Sequence, residues 1–91
     1  MIVVRNCFIA KPGQAGKLAR MFKEMATSAQ IPVHRVLTDI TGEFNRVIFE
    51  YEAENLADFE ARMRSVVLAK AMPGYTELYT TGTREILRLV D

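Results

Sequence analysis

The chain opens on a run in which β-branched and aromatic side chains predominate, "IVVRNCFIA" (2–10), and the run stops at Lys11-Pro12-Gly13. Such a run predicts a strand. Proline ends it because it offers no ladder donor, and the glycine after it accepts a tight turn. From Ala15 to Ala29 the period changes. Leu18, Met21, Phe22 and Met25 recur at i, i+3, i+4 and i+7, with Lys17, Arg20, Lys23 and Glu24 between them, which predicts an amphipathic helix with one buried stripe. Ile31-Pro32 breaks that helix. "VHRVLTDI" (33–40) reads as a second strand, Gly42 serves a hairpin loop, and "RVIFEYEA" (46–53) is a third strand. Asn55 then caps a second helix, with Asp58 at its third position completing a capping-box-like start. Leu56, Phe59, Met63, Val66 and Val67 form its apolar stripe, and it is expected to end before Pro73-Gly74. "YTELYTTG" (75–82) reads as a turn-rich connector with room for one helical turn, and "TREILRLV" (83–90) as the last strand.

The order βαββαβ predicts an α+β protein of ferredoxin-like arrangement: a four-stranded antiparallel sheet with both helices on one face, in one domain over residues 1–91. RNA-recognition modules share this order and need aromatic rings turned outward from the sheet. Here period-two alternation puts Val47, Phe49 and Tyr51 under the helices and turns Arg46, Ile48, Glu50 and Glu52 outward. That face lacks a stacking platform on its third strand, and its acids repel phosphate. Twelve basic against eleven acidic residues, a net charge of +1, add no electrostatic attraction, so no nucleic-acid partner is expected. Arg5 interrupts the N-terminal apolar run well short of membrane-spanning length, and one cysteine, Cys7, excludes an internal disulfide. A soluble, cytoplasmic protein without a membrane partner is the expectation.

The outward face is nevertheless apolar. The first strand is expected to add Phe8, Val4 and Asn6 to it, beside Ile48, Leu37, Leu87 and Leu89, with Arg35, Asp39, Arg46, Glu50 and Glu85 interspersed. Monomers rarely leave such a patch in water once it exceeds a few hundred Å². The economical cover is a second copy, so a homodimer joined through the sheet face is expected; it also supplies core that so short a chain lacks.

Three stretches carry a family likeness: the strand ending in "KPG" (11–13), "TDITGEFNRVIFEYEAENLADFEAR" (38–62), and the closing "REILRL" (84–89). They resemble the dimeric α+β barrel superfamily of antibiotic-biosynthesis monooxygenases and NIPSNAP domains, NIPSNAP-like being the closer match. The resemblance implies a homodimer with a pocket between each sheet and its helices, or inside the barrel. It implies little about chemistry, because the superfamily holds cofactor-free oxygenases, haem-degrading enzymes and isomerase-like enzymes. The chain departs from the family where NIPSNAP-like strands carry a tryptophan, since Tyr51 stands there.

The residues themselves narrow the chemistry. No Gly-rich phosphate loop, G-x-S-x-G elbow or HExxH helix occurs. One histidine and one cysteine do not make a zinc site, and no metal or other cofactor is expected. His34 reads either as a base or haem ligand or as a strand-end residue at the surface or the helix interface, and Cys7 among apolar neighbours reads as core. What remains is the polar set on the uncovered face. Asp39, Arg46 and Glu50 lie on two strands joined by a hairpin, where their side chains are expected to meet beside Asn6. A carboxylate raised in pKa by burial would abstract a proton from a phenol or enol while Arg46 or Asn6 holds the anion. With oxygen this is cofactor-free oxygenation, and without it an isomerisation. Phe8 and Ile48 would flank the substrate, and Tyr75 and Tyr79 would close the pocket mouth. The alternative is a salt-bridge network that only docks subunits. Two classes therefore stand: a protein that binds or transforms a small organic molecule, or a non-catalytic ligand-binding or assembly module.

Overall fold

The computed structural model describes residues 1–65, 70 and 72–90. In order come β1 (Ile2–Ala10), α1 (Ala15–Ser28), β2 (His34–Thr38), β3 (Arg46–Ala53), α2 (Leu56–Ser65), a 3₁₀ turn at Tyr75–Glu77 and β4 (Tyr79–Arg88). The sheet is antiparallel throughout, with strand order β2-β3-β1-β4, and the fold is the expected ferredoxin-like one. Val66 and Val67, assigned above to the stripe of the second helix, lie outside the described residues. No helix among the described residues is long and apolar enough to cross a membrane.

Local signals explain the element ends. Asn55 caps α2 as expected: its Oδ1 accepts from the Asp58 N–H at 2.9 Å, while Asp58 Oδ2 accepts from the Glu54 N–H at 3.2 Å. At the end of α1 the chain turns through Gln30 in the left-handed region (φ 55°), and the Ile31 N–H returns to the Ala26 carbonyl at 3.0 Å, a capping geometry more often built on glycine. β4 begins four residues earlier than the turn-rich composition of 75–82 suggests, because Tyr79 and Thr81 pair with Ala10 and Ile9 at the end of β1. Tyr79 is therefore a strand residue, and only Tyr75 lies in the expected single turn.

The helices cover the face that carries Val47, Phe49, Tyr51 and Ala53, all buried. α1 contributes Leu18, Phe22, Met25 and Ala26, and α2 contributes Phe59. Six rings run in series across this layer. Tyr79 meets Phe8 at 4.8 Å between centroids, Phe8 meets Phe22 at 4.9 Å, and Phe49, Tyr51 and Phe59 follow at 5.4, 5.4 and 6.4 Å. Gly82 makes room for the series, since a Cβ there would stand 3.0 Å from the Phe8 ring.

One strand is turned over relative to the sequence expectation. In β1, Val4 pairs with Tyr51, Asn6 with Phe49 and Phe8 with Val47, so these three face the helices rather than the bare side. Val3, Arg5, Cys7 and Ile9 face outward instead, and Cys7 is half-buried on that surface rather than in the core. The reason is that β1 is apolar on both sides. Each of its alternate sets holds a single polar residue, Asn6 or Arg5, among apolar ones, so alternation alone does not set its phase. Pairing with β3, whose two faces differ sharply, does.

Candidate functional site

On the bare face the strongest feature is Glu50, 5% exposed and held by two guanidiniums. Arg5 Nε–H from β1 donates to its Oε2 at 2.6 Å, and Arg35 Nε–H from β2 donates to its Oε1 at 2.7 Å. Burial pushes the Glu50 carboxyl up, but the hydrogen bonds and charges of Arg35 and Arg5 outweigh it and leave the group below the ordinary glutamate value. It is ionised at neutral pH, which suits an anchor and not a base that must take up a proton.

The expected cluster of Asp39, Arg46 and Glu50 is thus divided. Arg46 and Asp39 form their own pair at the hairpin: the Arg46 N–H donates to Asp39 Oδ1 at 3.1 Å, and Arg46 Nε stands 4.0 Å from Asp39 Oδ2. Arg46 and Glu50 point the same way but sit four residues apart on one extended strand, about 13 Å, too far to meet. Ile48 lies between them, half-buried, across from Cys7 and Leu37. Burial raises the Cys7 thiol above its ordinary value, against the nearby Arg46 charge, so it stays protonated.

His34 is accounted for by its contacts. Its Nδ1 lies 2.7 Å from the Ile31 carbonyl oxygen, which requires a proton there, and its Nε2 then accepts from Lys23 Nζ at 3.4 Å. The ring ties β2 to α1, and no nitrogen is left for a ligand. Among the described residues no group of three or more His, Cys, Asp or Glu side chains could hold a metal ion.

The opposite side of the sheet holds a different arrangement. Between sheet and helices lies a cavity of about 40 Å³, walled by Phe8, Phe22, Met25, Ile31, Phe49 and Met63 and edged by Asn6, Tyr51, Arg62 and Arg84. Asn6, one of the expected substrate-binding residues, is here and only 6% exposed. Its Nδ2 donates to the Phe49 carbonyl at 3.4 Å, which aims Oδ1 at β4, where it accepts from Arg84 Nε–H at 2.7 Å. The Arg84 guanidinium carbon also sits 5.5 Å from the centre of the Phe59 ring. Burial raises the Tyr51 hydroxyl above its ordinary value, with the Arg84 and Arg62 charges opposing, so both cations act on that oxygen and it remains a proton donor. Tyr75 and Tyr79, with rings 5.8 Å apart, do not line the cavity; Tyr79 reaches it only through Phe8.

Sequence pattern brings Asn6, Phe8 and Tyr51 into view but not Arg62 or Arg84. The signal for Arg84 is present in its position: on β4 it alternates with Glu85 and Leu87, and it pairs with Asn6 once the register is known.

The chain is similar to solved structures across nearly its whole length. It covers 99% of its residues against 93% of a NIPSNAP family protein from Agrobacterium tumefaciens, at 16% identity and a TM-score of 0.83. This chain has a NIPSNAP-like fold. A NIPSNAP-like domain protein from Burkholderia xenovorans matches at 28% identity and a TM-score of 0.67, over 98% of this chain and 84% of that one. An antibiotic biosynthesis monooxygenase matches at 15% identity and a TM-score of 0.76, over the full length of both chains. No family model matches the sequence, and no curated protein matches it. In this NIPSNAP-like fold Tyr51 occupies the covered face, with its ring packed between Phe49 and Phe59 and its hydroxyl at the cavity edge.

Proposed function

We propose that the protein binds a small organic molecule in the cavity between the sheet and its helices, and that it does so as a homodimer joined through the bare sheet face. The cavity carries the reading: one buried asparagine, one tyrosine hydroxyl and two guanidiniums edge a pocket otherwise walled by aromatic and methionine side chains. That is the pattern of a ligand site, in which apolar walls supply affinity and a few polar groups fix orientation. At about 40 Å³ it has room for roughly three waters. A ligand therefore has to widen it, and Met25 and Met63, unbranched and adaptable, are the walls that can give.

The groups on the cavity edge are cations and hydrogen-bond donors, with the Asn6 oxygen already taken by Arg84. No carboxylate or imidazole lines it among the described residues. This favours holding an anion over removing a proton, and so binding over the oxygenase or isomerase chemistry that the fold also hosts. The homodimer rests on the bare face, where Leu37, Leu87 and Leu89 are each at least 40% exposed around the Glu50 clamp. Glu50 there is satisfied by Arg5 and Arg35, which suits a docking surface, while Asp39 Oδ2 and Arg46 Nε, 4.0 Å apart, are buried without a hydrogen-bond partner. A cytoplasmic location belongs to the same proposal, since a single free thiol fits a reducing compartment.

A thermal-shift screen of small phenols, quinols, keto acids and aryl carboxylates tests the cavity. Met63 is partly exposed at its edge, so Met63→Trp is expected to plug it while leaving the fold and the dimer mass unchanged. At least one compound should raise the Tm of the wild type and fail on the variant. Compounds that stabilise both proteins equally, or no stabilising compound at all, would count against the cavity as the binding site.

A further inference from the structure

We propose that the ligand of this cavity is a monoanionic aryl carboxylate, its carboxylate held by Arg84 and its ring seated among Phe8, Phe22 and Phe49. The inference rests on the cavity being the binding site and goes on to name what it takes. Among the described residues Arg84 is a guanidinium without a counter-ion. Its Nε–H is engaged by a neutral acceptor, Asn6 Oδ1 at 2.7 Å, and its carbon lies 5.5 Å from the Phe59 ring centre. Every ion pair among the described residues joins a different arginine to its acid: Arg5 and Arg35 to Glu50, Arg46 to Asp39, Arg62 to Asp58. The terminal nitrogens of Arg84 make no hydrogen bond among the described residues, so a residue that edges an apolar cavity keeps a planar pair of donors to offer. A carboxylate is the anion that matches such a fork.

Charge and shape select within that class. Arg62, the second cation at the edge, stands 4.0 Å from Asp58 Oδ2. Among the described residues two cations and one acid therefore stand beside the cavity, an excess of one positive charge that balances a monoanion and leaves a dianionic phosphate under-neutralised. The walls are largely rings in series, Phe8 to Phe22 at 4.9 Å and Phe22 to Phe49 at 5.4 Å, and another ring extends that packing. Asn6 is a positioning residue here: it orients Arg84 and does not itself need to touch the ligand.

The test is isothermal titration with four probes, sodium benzoate, benzyl alcohol, sodium acetate and inorganic phosphate, on the wild type, Arg84→Met, Arg84→Lys and Met63→Trp. Benzoate is expected to bind the wild type at least tenfold tighter than any other probe. Arg84→Met should weaken benzoate about tenfold to a hundredfold, as removal of a charged hydrogen-bond pair does. Arg84→Lys should fall between, because it keeps the charge and loses the fork. Benzyl alcohol binding as tightly as benzoate, or benzoate affinity unchanged in both Arg84 variants, overturns the carboxylate assignment while the Met63→Trp block still marks the cavity. Acetate equal to benzoate overturns the aryl part. Should Met63→Trp leave benzoate binding intact, the cavity reading fails and this inference with it.

Discussion

Replacing Ile48 with aspartate is expected to leave the protein monomeric. Ile48 stands at the middle of the bare face, between Cys7 on β1 and Leu37 on β2, and it is the largest apolar side chain that β3 turns outward. Among the described residues each arginine of that face already stands against an acid. Arg5 and Arg35 are committed to Glu50, and Arg46 to Asp39. In a two-fold interface the unpaired charge is buried twice, at several kcal/mol for each copy. Sedimentation velocity at micromolar concentration should show a dimer for the wild type and a monomer for the variant. A variant that still sediments as a dimer of unchanged stability would place Ile48 outside the interface and remove the bare sheet face from the account.

The second large effect concerns the covered face. Phe22, on α1, is 2% exposed and stacks on Phe8 at 4.9 Å and on Phe49 at 5.4 Å, so it joins the helix to both central strands. Phe22→Ala is expected to cost about 3 to 5 kcal/mol, from lost transfer energy and from the void left among rings that cannot close up. Against a total stability of about 5 to 15 kcal/mol for a domain, this brings the chain close to unfolding at room temperature. Urea denaturation followed by circular dichroism gives the value directly. A loss under about 1 kcal/mol would mean that α1 packs elsewhere, because no buried phenylalanine at the centre of a ring series is so dispensable.

Much of the fold is legible in the residues. The change from period two to period 3.6, the punctuation at Pro12-Gly13, Pro32 and Gly42, and the Asn55 cap place every element near where it occurs, and β3 declares its own two faces through Val47, Phe49 and Tyr51. The phase of β1 is not legible from alternation, since both of its sides are apolar. One physical signal does bear on it. A guanidinium costs more to cover than an amide, so Arg5 belongs on the bare side and Asn6 beneath the helices. With that phase, Arg5 becomes the partner of Glu50, while Asn6 and Phe8 move to the cavity. Arg84 is hidden for another reason. Its importance comes from a contact 78 residues away in the chain, and no local pattern encodes that pairing.

On the proposed function, the covered side of the molecule takes a ligand and the bare side takes a second copy. Methyl-resolved proton–carbon spectra, recorded while sodium benzoate is titrated into the wild type, separate the two sides most directly. Met25 and Met63 line the cavity and should shift in proportion to occupancy, while Ile48 and Leu37, on the far side of the sheet, should hold their positions. Shifts at Ile48 and Leu37 with Met25 and Met63 unmoved would put the ligand between the sheets and contradict the account.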